Sequence, residues 1–167
     1  MLNKNLAQNV RVESYFQIKS DQLSSSPNRN SSNGLLLLSR YKTSSTLYYA
    51  GVRVDGYAVI KKKINGTYHT LASKKIFWSP GLYDKVVHPN LIPKNTWIGL
   101  RSETKNNPDG SVGVKLFTDV GKKGVWSLIL ESTDNGVGGT AITSSGYTGI
   151  RTDFMDVQFD NYKLENI

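Results

Sequence analysis

Apolar residues along this chain alternate with period two, between short clusters of Gly, Asn, Asp, Ser and Pro. That alternation marks strands with one face buried. No stretch carries the 3.6-residue spacing of an amphipathic helix. The pattern predicts strands over 10–19, 34–41, 46–54, 57–64, 67–73, 96–103, 111–118, 125–132 and 154–164. Turn chemistry separates them: Asp55-Gly56, Asn65-Gly66, Asn107-Pro108-Asp109-Gly110 and Asp134-Asn135-Gly136. Many strands with short polar turns predict one all-β domain over residues 1–167, an antiparallel two-sheet sandwich or jelly roll. Residues 21–33 read as a polar loop. Residues 76–95, with three prolines, read as a long surface connection.

The hairpin 46–64 yields side-chain directions. Read as a two-residue turn, Asp55-Gly56 sets Val54 opposite Tyr57, Val52 opposite Val59, Ala50 opposite Lys61 and Tyr48 opposite Lys63. One face then holds Val54, Val52, Ala50, Val59 and Tyr57 and points to the core. The other holds Tyr49, Gly51, Arg53, Ala58, Ile60 and Lys62, an open surface where Gly51 leaves room for a ligand. Strand 96–103 repeats the theme, with Trp97, Gly99, Arg101 and Glu103 on one face. If it neighbours the hairpin, Arg53 and Arg101 line one groove, and arginine forks suit carboxylate or sulfate.

Charge sharpens this picture. Residues 40–75 hold eight basic residues against Asp55 alone, a net of +7 out of +8 for the chain. A localised positive field favours an acidic partner. Strand lysines such as Lys61 to Lys63 also serve simply to protect an edge. The absence of cysteine excludes disulfides, thiolate zinc sites and a cysteine nucleophile. The two histidines, His69 and His88, lack metal-site spacing. No serine elbow or phosphate loop is present. The longest apolar run, Leu35–Leu38, is far too short to span a bilayer, and no signal peptide is visible. Two glycosylation sequons begin at Asn30 and Asn65. Tyr48, Tyr49, Tyr57 and Tyr68 among the basic residues could stack bases, but no nucleic-acid motif accompanies them.

The segments 33–41, 48–74, 95–103, 109–121 and 149–164 together resemble concanavalin A-like jelly rolls, which include laminin-G-like lectin domains and polysaccharide-active enzymes. The resemblance implies two curved antiparallel sheets, ligand on the concave one, and a structural calcium near the first and last strands. Glu13, Asp153, Asp156 and Asp160 are the candidate calcium ligands, because carboxylates suit a hard cation. The Glu-x-Asp-x-x-Glu strand of the laminarinase-like hydrolases is missing, which argues against retaining glycosidase chemistry. A distant likeness to alginate-lyase-like enzymes lies in Leu47–Asp55, where Ala50 and Gly51 match the motif. Arg53 stands at that family's tyrosine position and Tyr49 at its lysine. A lyase needs a group to neutralise the uronate carboxylate and a base for the C5 proton. Arg53 or Arg101 would serve as the first, and Tyr49, Tyr57 or His69 as the second. The expected function is an extracellular or cell-surface lectin-like module binding acidic polysaccharide through Tyr49, Arg53, Lys62, Trp97 and Arg101. It is expected as a monomer or part of a larger multidomain protein, and β-elimination of uronate glycans is the alternative.

Overall fold

The computed structural model describes residues 1–167. Ten strands form it: β1 (Val10–Asp21), β2 (Gly34–Thr43), β3 (Thr46–Arg53), β4 (Tyr57–Ile64), β5 (Thr67–Lys75), β6 (Trp97–Asn106), β7 (Val112–Val120), β8 (Ser127–Asp134), β9 (Tyr147–Thr152) and β10 (Met155–Asn166). They pair into two five-stranded sheets, ordered β10-β1-β6-β7-β8 and β5-β4-β3-β2-β9. Every paired neighbour is antiparallel. The result is an all-β jelly-roll sandwich. No helix long and apolar enough to cross a membrane is present.

The alternation read from the sequence supplies the core. Val10, Val12, Phe16 and Ile18 of β1, with Ile98 and Leu100 of β6 and Val112, Val114 and Leu116 of β7, come from one sheet. Leu35, Leu37, Tyr48, Ala50, Val52, Ala58 and Ile60 meet them from the other. Strand β9 is an element that the period-two reading misses. It has six residues, an internal glycine, and packs edge-on against β2. Its Gly149 is dictated by a close approach: a Cβ there would sit 2.2 Å from the Met1 carbonyl oxygen, where Leu2 bridges the strand.

Two turns that look alike in sequence fold differently. Asn65 and Gly66 both have positive φ, 49° and 81°, and Ile64 pairs Thr67, so this is a true two-residue turn. At Asp55-Gly56 only the glycine has positive φ, 83°, and its amide bonds the Arg53 carbonyl at 2.9 Å. That is the three-residue hairpin, Val54-Asp55-Gly56, with glycine in the left-handed position. The register is therefore one residue away from the expected one: Val52 pairs Ala58, Ala50 pairs Ile60, Tyr49 pairs Lys61 and Tyr48 pairs Lys62.

A one-residue slip exchanges the two faces of a strand. Lys62, expected on the open surface, is fully buried in the core, as are Ala58 and Ile60. Tyr57 and Lys61, expected inside, stand on the outer face beside Tyr49 and Arg53, together with a buried Val59. The interior accepts Lys62 because Asp134 lies 2.9 Å away and the Gly139 carbonyl accepts at 2.7 Å. The Tyr48 hydroxyl also donates to Asp134 and accepts from the Ile142 amide at 3.0 Å. Arg40 is likewise buried, bonded to the Gln8 and Ile142 carbonyls and the Asn106 amide oxygen. Two of the eight cations in residues 40–75 are thus withdrawn from the surface, and Lys62 is neutralised by Asp134.

Candidate functional site

The outer face of the sheet containing β3 is built unlike an ordinary solvated surface. Leu35 to Leu38 are all buried, so β2 is covered on both sides. On the outer side Leu36, Leu38, Leu47 and Val59 form a small apolar floor with Tyr49. A cavity of about 480 Å³ opens over its Leu36 and Tyr49 end. Leu36, Tyr49, Lys61, Tyr68 and Arg151 line it from five neighbouring strands, and Asp153 and Phe154 close one end. The loop between β1 and β2 provides the remaining wall through Asn28, Asn30, Ser32 and Asn33.

That loop is shaped by its own side chains. Asn33 Oδ1 accepts from the Asn30 amide at 2.7 Å, and Asn30 Oδ1 accepts from Ser32 at 2.9 Å. Such side-chain-to-backbone turns fix a polar segment that lacks a core of its own. Arg53 pins it to the sheet, donating from Nε to the Ser31 carbonyl at 3.2 Å while its guanidinium pairs with Asp55. Arg53 is therefore a wall support at the cavity's margin.

Within the cavity the chemistry is mixed. The Tyr49 and Tyr68 rings meet edge to face, with centroids 5.8 Å apart. Burial, then the neighbouring Tyr68, pushes the Tyr49 hydroxyl up to about 12, so it is a neutral hydrogen-bonding group. Lys63 lies 4.5 Å over the exposed Tyr68 ring. Arg151 holds Asp153 at 2.8 Å. Lys61 has no carboxylate partner. Burial, then the nearby Arg53, draws its ammonium below the ordinary lysine value. A half-buried cation without a counter-ion, facing a cavity, favours an anionic occupant.

The remaining expected residues lie elsewhere. Trp97 and Arg101 are on β6, in the opposite sheet, so no groove joins Arg101 to Arg53. Arg101 bonds Glu13 at 2.7 Å and stacks 4.1 Å over Trp126, and Lys122 covers Trp97 at 4.8 Å. His69 pairs Lys62 across the ladder and lies against Gly138, away from the cavity. Tyr57 is exposed beside Lys75. Gly51 makes no room for a ligand: a Cβ there would lie 2.1 Å from the Leu35 carbonyl oxygen of β2. The four acidic residues are dispersed. Glu13 meets Arg101 and Lys163, Asp153 meets Arg151, Asp156 meets Ser20 and Gln22, and Asp160 meets Lys122. No three His, Cys, Asp or Glu side chains gather as a metal-holding group. The cavity residues Lys61, Tyr68 and Arg151 escape the sequence-based site, Lys61 through the register slip and Arg151 because β9 is missed.

No protein-family model matches the sequence, and no curated protein matches it. Among solved structures the chain is similar to a mutant of the GH43 protein BlXynB from Bacillus licheniformis, at 8% identity and a TM-score of 0.59. The match covers 99% of this chain and 29% of that one. SCP-B, a member of the Eqolisin family of peptidases, matches at 13% identity over 96% of this chain and 76% of that one, with a TM-score of 0.38. At these identities the first likeness concerns the fold alone: the chain is an all-β sandwich spanning less than a third of the neighbour's length.

Proposed function

We propose that this chain is a carbohydrate-binding module that holds acidic polysaccharide in the cavity over β2, β3, β4, β5 and β9. The observation carrying this reading is the unpaired, half-buried Lys61 facing a cavity that also presents two tyrosines, an arginine and asparagine amides. Tyrosine rings stack on the apolar faces of sugars, amides bond hydroxyls, and cations hold carboxylates or sulfates. The likeness of fold to part of a GH43 protein supports a carbohydrate-related role. Such a module would work where polysaccharide is found, outside the cell or at its surface.

Affinity electrophoresis in gels containing alginate, pectin, heparin or neutral glucan tests the proposal. Retardation is expected in an acidic gel. Lys61→Ala and Tyr68→Ala should each weaken it roughly ten-fold, in line with a lost charge-assisted bond or stacking surface. No retardation in any gel, or retardation indifferent to both variants, would end the proposal. Appearance of ultraviolet-absorbing unsaturated products would instead show β-elimination. The same preparations answer the calcium question. A melting temperature raised by millimolar calcium and lowered again by EDTA is the outcome that keeps a structural cation.

A further inference from the structure

The connection between β5 and β6 exposes Trp78, Leu82, Val86 and Val87, at 69%, 79%, 80% and 70% of their surfaces. These are not scattered. Asp84 and His88 exchange both backbone hydrogen bonds at 3.1 Å, closing a tight hairpin whose tip is Lys85-Val86-Val87. Asp84 Oδ1 accepts from the Val86 and Val87 amides at 2.8 and 2.7 Å, and His88 Nδ1 lies 3.2 Å from the Leu82 carbonyl. The hairpin is thus braced from within, with its apolar side chains left outside. The chain leading into it is tied to the body by the Ile76 and Phe77 amides on the Gly56 carbonyl, and the hairpin itself by Arg29 on the Lys85 carbonyl.

Charge around this knob is one-sided. Lys74 and Lys75 precede it, and Lys85, in its turn, directs its ammonium back to within 3.4 Å of the Ser26 carbonyl. Its single acid, Asp84, is turned onto the backbone. Lys75 lies 5.2 Å over Trp78 and 5.5 Å over Tyr57, an aromatic and lysine cluster where the connection begins.

We propose that residues 77–88 dock this protein onto an anionic lipid bilayer. Leu82, Val86 and Val87 would enter the acyl boundary, with Trp78, Tyr57 and Lys75 at headgroup level. Exposed apolar tips on a connection that also carries aromatics and lysines are what bilayer interfaces reward, while a protein partner would need a preformed pocket to receive a projecting tip. The inference is independent of the glycan cavity.

Sedimentation with vesicles tests it, using phosphatidylcholine alone and phosphatidylcholine mixed with phosphatidylglycerol. The protein should pellet with the mixed vesicles and shift its tryptophan emission to the blue. Val86→Asp/Val87→Asp should lower the bound fraction at least about ten-fold. Its melting temperature should not change, because both side chains are exposed and unbonded. No pelleting with the mixed vesicles overturns the proposal, as does pelleting that this variant leaves unchanged. Concentration-dependent self-association abolished by the same variant would overturn it in favour of a second copy of the chain.

Discussion

At the scale of the residue, the core's polar network carries the largest single effects. Lys62, Asp134 and Tyr48 are all fully buried. Burial alone would raise the Asp134 carboxyl. The bonds from Tyr48 and Lys62, with those from the Gly136 and Val137 amides, outweigh it and hold the group below the usual carboxylate range. A depressed folded-state value means that Asp134 stabilises the fold above its unfolded value, near 4, and loses that contribution as pH falls through the folded one. Asp134→Ala leaves the Lys62 ammonium with only the Gly139 carbonyl, in a core that already holds Arg40. Breaking a buried pair from one side costs about 3–5 kcal/mol, or roughly 10 °C in melting temperature for a chain of this size. Lys62→Met should cost less, since Asp134 keeps three donors. The double variant Lys62→Met/Asp134→Ala should lose less stability than the sum of the two single losses, because it removes both buried charges together. Thermal melts at neutral pH check the ranking. In a pH series, the Asp134→Ala melts should lack the part of the acid loss that Asp134 supplies. Equal losses in Lys62→Met and Asp134→Ala would contradict this account.

At the scale of the element, hairpin register decides which residues can be functional at all. Nine of the ten strands are legible from apolar patterning and turn chemistry, because nearly all bury one face against the main core, β2 alone reading as a continuous apolar run. The candidate site is less legible, for one identifiable reason. Asp-Gly closes both two-residue and three-residue hairpins, and only backbone angles tell them apart. The two-residue register places Lys62 outside and Lys61 inside, and the three-residue turn reverses them. The inner alternation of β3 (Tyr48, Ala50 and Val52) could be matched to β4 in either register, since Ala58, Val59 and Ile60 are all apolar. Gly51 teaches the same lesson. In the sequence its lack of a side chain reads as space for a ligand, whereas the neighbouring strand's backbone fills that space. Gly51→Ala is therefore expected to damage stability rather than binding. Forced overpacking of 1–3 kcal/mol corresponds to roughly 3–10 °C. A variant that melts like the parent protein but loses glycan retardation would restore the ligand interpretation.

At the scale of the whole molecule, the two outer faces divide the charge. On the sheet containing β1, Arg11 pairs with Glu103 at 2.8 Å and Glu165 at 2.7 Å. Glu13 receives Arg101 at 2.7 Å and Lys163 at 3.3 Å. Fields from such interlocked pairs cancel over short distances, and partly exposed pairs contribute little energy. On the outer face of the sheet containing β3, Lys61 and Lys63 have no carboxylate partners, and Arg53 and Arg151 each meet one aspartate. The net +8 of the chain therefore presents a direction to an approaching polyanion. If the cavity is where it lands, affinity for alginate should fall steadily with added salt, because partly exposed cations are screened over about 8 Å at physiological ionic strength. Lys61→Ala should both weaken binding and flatten that salt dependence. Arg101→Ala and Trp97→Ala, on the opposite face, should leave both as they are. Electrophoresis in alginate gels across a sodium chloride series reads the two quantities at once, and single-stranded DNA of equal charge added as competitor tests the ligand's chemistry. Loss of retardation in Arg101→Ala with retention in Lys61→Ala would move the site to the β1 sheet. DNA that competes charge for charge as well as alginate would show that the cavity reads charge alone, without recognising sugar.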